Sequence, residues 1–184
     1  MRSLVDIFGI GPLSGTDVES ISNGNTETFI RIHNIAKEKF SRIATGRFYF
    51  QSARSDEFHS VQTPYKPLGR RRDLVVEHLR DLYVGEPNKL TVLYGELCVD
   101  PFRLGRIYTV MKEADTEHGI ALSIIAPDSQ FSDQYFAKWA YPKGTRIAVK
   151  QPLLVEAPDG YIRTIEINNP RSILRIERGS RKAA

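Results

Sequence analysis

The chain holds one cysteine, Cys98, among 184 residues. A lone thiol excludes an intrachain disulfide framework and makes a reducing compartment the default, the cytoplasm first and the nucleus second. Uninterrupted apolar sequence is also scarce. No run approaches the roughly 20 residues that cross a bilayer, so no membrane partner is expected. The N-terminal "LVDIFGIGPL" is broken by Asp6 and two glycines and makes a poor secretory segment. Metal-ligand spacing is missing too: His33, His59, His78 and His118 are scattered, with no H-x-x-x-H or C-x-x-C pattern. There is no G-x-S-x-G elbow, and "FGIGPLSG" lacks the Gly-Lys-Ser/Thr ending of a phosphate loop. No cofactor and no metal are expected, and spacing alone names no catalytic residue.

What is present is an ordinary globular balance, 41% hydrophobic and 26% charged, enough to bury a core. The formal charge is +4, and its placement matters more than its size. From Tyr141 onward there are nine Lys or Arg against four Asp or Glu; residues 70–140 carry nine against eleven. The excess sits in the last strands and in the tail "RIERGSRKAA", with a second cluster at Arg70-Arg71-Arg72. A solvated surface with a basic tail is the plain account; a phosphate-binding face is the functional one.

Residues 1–26 are rich in Gly, Ser, Asn and Thr, a loop composition with at most one short strand. Phe29, Ile32, Ala36, Phe40 and Ile43 then recur at helical spacing, although "TFIRIHN" also alternates as a strand would. "GRFYFQSA" reads as a strand and "SDEFHSVQTPYKPLGRRR" as an exposed loop. Leu74, Val75, Leu79 and Leu82 share a helical stripe, so "RRDLVVEHLRDLYVG" reads as a short helix, with His78 on its flank. Beyond Pro87 the texture is β-rich. "LTVLYGELCV" is followed by a hairpin, "RIYTVMKEA" and "IALSIIA" around the turn "DTEHG". "SDQYFAKWAY" reads as a helix capped by Ser132, with Phe131, Tyr135 and Trp139 at helical intervals. "TRIAVKQPLLVEA" and "YIRTIEI" close on a second hairpin through "PDG", and Pro152 marks a bulge or an edge within its first strand.

Strand, strand, strand, helix, strand, strand is the element order of an OB-fold, whose closure hides the sheet edges. The expected class is therefore mainly β (α+β): an OB-fold-like five-stranded barrel with an N-terminal helical and strand extension. Residues 1–88 form the extension packed on the barrel, 89–178 the barrel, and 179–184 the basic tail.

Several segments resemble a known family. "LRDLYVG", "GELCVDPFRLGRIYTVMKEADTEHGIALSIIAP", "YPKGTRIAVKQPLLVEAPDGY" and "INNPRSIL" are similar to the strand-rich module that precedes the catalytic part of fungal TPR–SET domain proteins. The resemblance covers about Leu79 to Ile176, and Pro101-Phe102-Arg103, Pro142-Lys143-Gly144-Thr145 and Asp159-Gly160-Tyr161 are among its most specific pieces. It implies an OB-like fold without the TPR and SET parts, so lysine methylation does not carry over. Where the family has an Arg-Val-Asp-His-Pro-Ser-Asp run, this chain has Glu166-Ile167-Asn168-Asn169-Pro170-Arg171-Ser172, a preserved framework with an altered polar surface.

Two functions stay open. A non-catalytic OB-like module would grip a protein or a single-stranded nucleic acid on its second and third strands and adjoining loops. The ligand-binding residues would be Phe102, Arg103, Arg106, Tyr108, Lys143, Arg146, Tyr161 and Arg163, with Lys150 extending the track: rings for bases, cations for phosphates. The plain account is that Phe102 and Tyr108 pack the barrel mouth. The alternative is a small cofactor-independent isomerase or cyclase, a pericyclase-type catalyst for instance, of fungal secondary metabolism, with an apolar substrate in a pocket in or beside the barrel. Cys98 is expected to behave as a small hydrophobe in a core strand, and His118 as a turn residue. A deep apolar cavity holding one buried carboxylate or histidine would favour the enzyme. A shallow basic groove with exposed rings would favour binding.

Overall fold

The computed structural model describes residues 14–44, 75–125, 134–156 and 163–176. The expected strand at "GRFYFQSA", the loop after it, the Arg70-Arg71-Arg72 cluster, Ser132, the "PDG" turn with Tyr161, and the tail lie outside those residues.

Two helices open the described chain: α1, Gly15–Ser22, and α2, Thr26–Ala44. α1 corrects the loop reading for Gly15–Ser22, while residues 1–13 lie outside the described ones. Its start is fixed by Ser14, whose hydroxyl accepts from the Asp17 amide, and Asp17 favours the positive end of the helix. α2 settles the ambiguity at "TFIRIHN" in favour of the helical period. The segment "RRDLVVEHLRDLYVG", read as a short helix, instead holds a two-residue strand, β1 (Val75–Val76), and a 3-10 turn at Leu79–Asp81. Two adjacent β-branched residues favour extended backbone, and β1 pairs in parallel with β2.

The barrel strands are β2 (Thr91–Leu97), β4 (Arg106–Glu113), β5 (Gly119–Ile125), β6 (Arg146–Lys150), β7 (Leu153–Glu156) and β8 (Arg163–Ile167). A short β3, Phe102–Leu104, folds back on β4, and β9, Ile173–Arg175, adds to β6. β2 pairs antiparallel with β4, β4 with β5, and β7 with β8, while β5 and β8 run parallel. β6 pairs with β2, and β6 and β7 are two halves of one strand separated by Gln151-Pro152. Gln151 takes φ 49° there and its amide still bonds the Thr91 carbonyl at 2.9 Å. This break lets one strand pair with β2 along its first half and with β8 along its second. The circuit β2–β4–β5–β8–β7/β6–β2 is closed. With α3, Gln134–Ala140, between the third and fourth barrel strands, this is OB topology.

The interior is filled by Leu93, Leu97, Ile107, Met111, Leu122, Ile124, Ile147, Val149, Leu154 and Ile165, and Ala137 and Tyr141 plug one end. Gly95 has no room for a side chain: a Cβ there would sit 2.5 Å from the Lys112 carbonyl oxygen and from Met111 Cγ. Outside the barrel, α1 and α2 place Ile21, Phe29 and Ile32 on Val110 and Ala121. Farther along α2, Ala36 and Phe40 meet Phe102 and Tyr108. The α1–α2 turn abuts the β4–β5 hairpin, where the Gly119 amide bonds the Gly24 carbonyl at 2.7 Å and a Cβ on Gly119 would meet Thr26 Cα at the same distance.

Candidate binding surfaces

OB-folds take ligands on the outer face of their second and third strands and the adjoining loops. Here those strands are β4 and β5, and the loop is the segment between β2 and β4. The structure brings Phe102 and Tyr108 together on this face, ring centroids 5.4 Å apart and 28° from parallel. It does not expose them. Both are buried beneath α2, with His33 centred 4.9 Å from Phe102 and Phe40 at 6.2 Å. The expectation of an open ring platform is corrected: the apolar stripe of α2 needs a surface to cover, and this face supplies it. The buried phenol of Tyr108 is pushed up by desolvation, an effect the Arg106 guanidinium opposes.

A cavity remains under α2, lined by Ile21, Phe29, His33, Phe102, Tyr108 and Val110 among others. It holds a buried histidine, yet its volume of about 20 Å³ is close to what one water occupies. His33 Nε2 donates to the Asp100 carbonyl at 3.1 Å, and Lys37 Nζ donates to the same oxygen at 3.3 Å. Desolvation by burial lowers the His33 pKa to about 4; the Asp100 carbonyl opposes that shift and Lys37 adds to it.

The expected cations separate into committed and open ones. Arg106 donates to Ser123 Oγ, to the Ser123 and Ile167 carbonyls, and faces Glu166 at 3.6 Å, so it locks β4, β5 and β8 together. Arg163 pairs with Glu156 at 3.0 Å across the β7–β8 ladder. Arg103 is half-buried on β3. Lys143 is exposed in the turn before β6, with no ion-pair partner among the described residues. Arg146 is also exposed and faces Glu96 at 3.8 Å. Lys150 is half-buried and likewise has no acid partner among the described residues.

Shortly before Lys143 and Arg146 in the sequence stands a residue that the reading of the β4–β5 face missed. Trp139, at the end of α3, is 48% exposed. Arg175 Nη2 donates to the Trp139 and Ala140 carbonyls at 3.3 and 2.8 Å, capping the negative end of α3. The next residue, Ile176, bonds its amide to the Arg146 carbonyl at 2.9 Å. Arg175 thus ties β9 to the end of α3, while Arg146, one residue along from Arg175's pairing partner Ile147, turns to the outer face of β6 toward Glu96. The signal in the sequence was "KWAYPKGTR", a tryptophan flanked by Lys138, Lys143 and Arg146.

Glu113 was also overlooked. Its carboxylate is 3% exposed and accepts from His78 Nδ1 at 2.8 Å, the Leu79 amide at 3.1 Å and the Thr116 hydroxyl at 3.0 Å, with His118 Nδ1 at 3.9 Å. His78 is therefore a partner of a buried carboxylate and not a helix flank. Cys98 lies just past β2, half-buried, where burial pushes its thiol up and makes it a poor nucleophile. Among the described residues, no cluster of three His, Cys, Asp or Glu is placed to hold a metal, and no helix is long and apolar enough to cross a membrane.

No protein-family model matches the sequence. No curated protein matches it either. Among solved structures the chain is similar to Schizosaccharomyces pombe Pot1pC, determined bound to single-stranded DNA (CGGTTACGGT), with a TM-score of 0.41 and 8% identity over 58% of this chain and 90% of that one. The OB assignment rests on the strand pairings themselves.

Proposed function

We propose that this chain is a non-catalytic binding module for a macromolecular partner, a protein or a single-stranded nucleic acid. The observation that carries this reading is the division of its surface. The apolar OB face is occupied by α2, while Trp139, Lys143 and Arg146 are exposed on α3, the turn after it and β6. A surface that mixes rings with cations suits an extended polyanionic or polar partner better than a small apolar one. The resemblance to a module that precedes a catalytic part, and does not supply it, points the same way. The enzyme alternative draws no support from the cavity under α2, which has room for about one water.

Retention tests the reading. The chain is immobilised at 50 mM salt beside an inert protein of equal net charge, exposed to a cell extract with and without nuclease treatment, and eluted with salt. The expected result is a defined macromolecule held by the chain and not by the control, released within a few hundred millimolar salt. Equal retention on both supports would overturn the proposal, and the nuclease arm separates nucleic acid from protein.

A further inference from the structure

We infer that the segment 83–90 is a self-association surface, through which two copies of this chain pair about a two-fold axis. This goes beyond the binding reading and requires no ligand.

The segment combines exposure with rigidity. Leu82 enters the barrel core, and the extended chain turns the next side chain outward, leaving Tyr83 78% exposed. Val84 and Leu90 are 42% and 60% exposed on the same segment. Buried Asn88 holds their backbone: its Oδ1 accepts from the Tyr83 amide at 2.8 Å, and its Nδ2 donates to the Tyr83 and Pro152 carbonyls at 3.1 and 2.9 Å. The Gly85 amide donates to the Leu154 carbonyl at 2.8 Å, so the segment is fastened to β7 as well as to the β6–β7 break. Apolar side chains on a fixed backbone lose less freedom when a partner covers them. Leu90 adds strain to exposure. At φ 60° it occupies the left-handed region that glycine or asparagine takes at less cost, yet its side chain stays mostly in water. A large apolar residue that is both strained and exposed within the monomer points to a contact outside it.

Charge selects the occupant. Arg80 pairs with Asp81 at 3.5 Å, which leaves Glu86 and Lys89 exposed on the segment with no ion-pair partner among the described residues. One acid and one base beside an apolar centre make a neutral, self-complementary set, because two-fold pairing sets Glu86 of one copy toward Lys89 of the other. A polyanion gains nothing from such a surface. The cavity under α2 has room for about one water, so a head-to-tail contact finds no socket there for Tyr83 or Leu90. A contact of this size suits a reversible dimer.

Sedimentation equilibrium of the full chain without ligand, over about 1–300 µM, should show a monomer–dimer equilibrium with a Kd of roughly 1–100 µM. Leu90→Asn removes the apolar side chain and suits the left-handed backbone. It should therefore raise Kd at least about tenfold while the urea midpoint does not fall, and Tyr83→Ser should weaken the dimer likewise. Glu86→Lys and Lys89→Glu each set like charges against one another in a two-fold pair, so each variant alone should dimerise less than the native chain. Mixed in equal amounts, the two should pair with each other, because every facing charge is then opposite. A chain that stays monomeric over the whole range would overturn the assignment, as would a dimer that Leu90→Asn and Tyr83→Ser leave unchanged. A mixture of the two charge variants no more associated than either alone would overturn it too. The binding reading survives all three results, since no ligand takes part.

Discussion

Single residues carry two of the consequences most open to measurement. His33, on the buried face of α2, stays neutral because burial lowers its pKa to about 4, against 6.5 in the unfolded chain. Between those values the unfolded chain binds a proton that the folded one refuses. The stabilisation is therefore complete above about pH 6.5 and is lost as pH falls toward 4, by about 3 kcal/mol in total. Urea midpoints measured from pH 7 to pH 4 should show this decline, and His33→Gln, which keeps a donor for the Asp100 carbonyl, should flatten it. An unchanged profile would remove His33 as its cause. Glu113 works through hydrogen bonds: Glu113→Ala strands the Leu79 amide and the His78 ring, and should cost about 1–3 kcal/mol in chemical denaturation. A loss within experimental error would mean that water replaces the carboxylate.

At the scale of elements, the packing of α2 is the feature to probe. Ala36→Asp puts a charge between α2 and the Phe102–Tyr108 stack, and amide exchange should rise first over residues 26–44 and on β3. Uniform exchange across β2, β6 and α2 would instead make helix and barrel one cooperative unit. Gly95→Ala should destabilise the β2–β4 pairing by about 1–3 kcal/mol in thermal or chemical unfolding, because the new methyl group meets a carbonyl oxygen. Much of this level was legible in advance. The barrel order, the β4–β5 hairpin and the irregularity at Pro152 followed from alternation and turn residues, and α2 from its 3.6-residue stripe. The failures have physical causes. Leu79 and Leu82 read as one helical stripe because a 3-10 turn also returns every third side chain to the same side, and both pack on the barrel core. α1 was hidden by polar composition, although Ser14 and Asp17 carry its start. Of the expected binding residues, Phe102 and Tyr108 do stack beside β4 but lie buried, because the alternation of β4 gives no sign that the stripe Phe29, Ile32, Ala36, Phe40 covers them.

Over the whole molecule, charge has two different uses. Arg106, Arg163 and Arg175 hold strands and a helix end together, whereas Lys143, Lys150 and Arg171 have no acid partner among the described residues and set the field that a partner meets. Position should therefore matter more than total charge. Lys89→Glu, at the opposite end of the β2–β6 ladder, removes as much charge as Lys143→Glu, and should reduce oligonucleotide affinity far less at 50 mM salt. Equal losses would point to a diffuse field and no defined site.

α2 has one more consequence. A ligand seeking the β4–β5 side of the barrel meets a rival that never diffuses away, because the chain tethers it at a local concentration that a free competitor must exceed. Affinity measured there reports the contest and not the contact, weakened by the fraction of time the helix is seated.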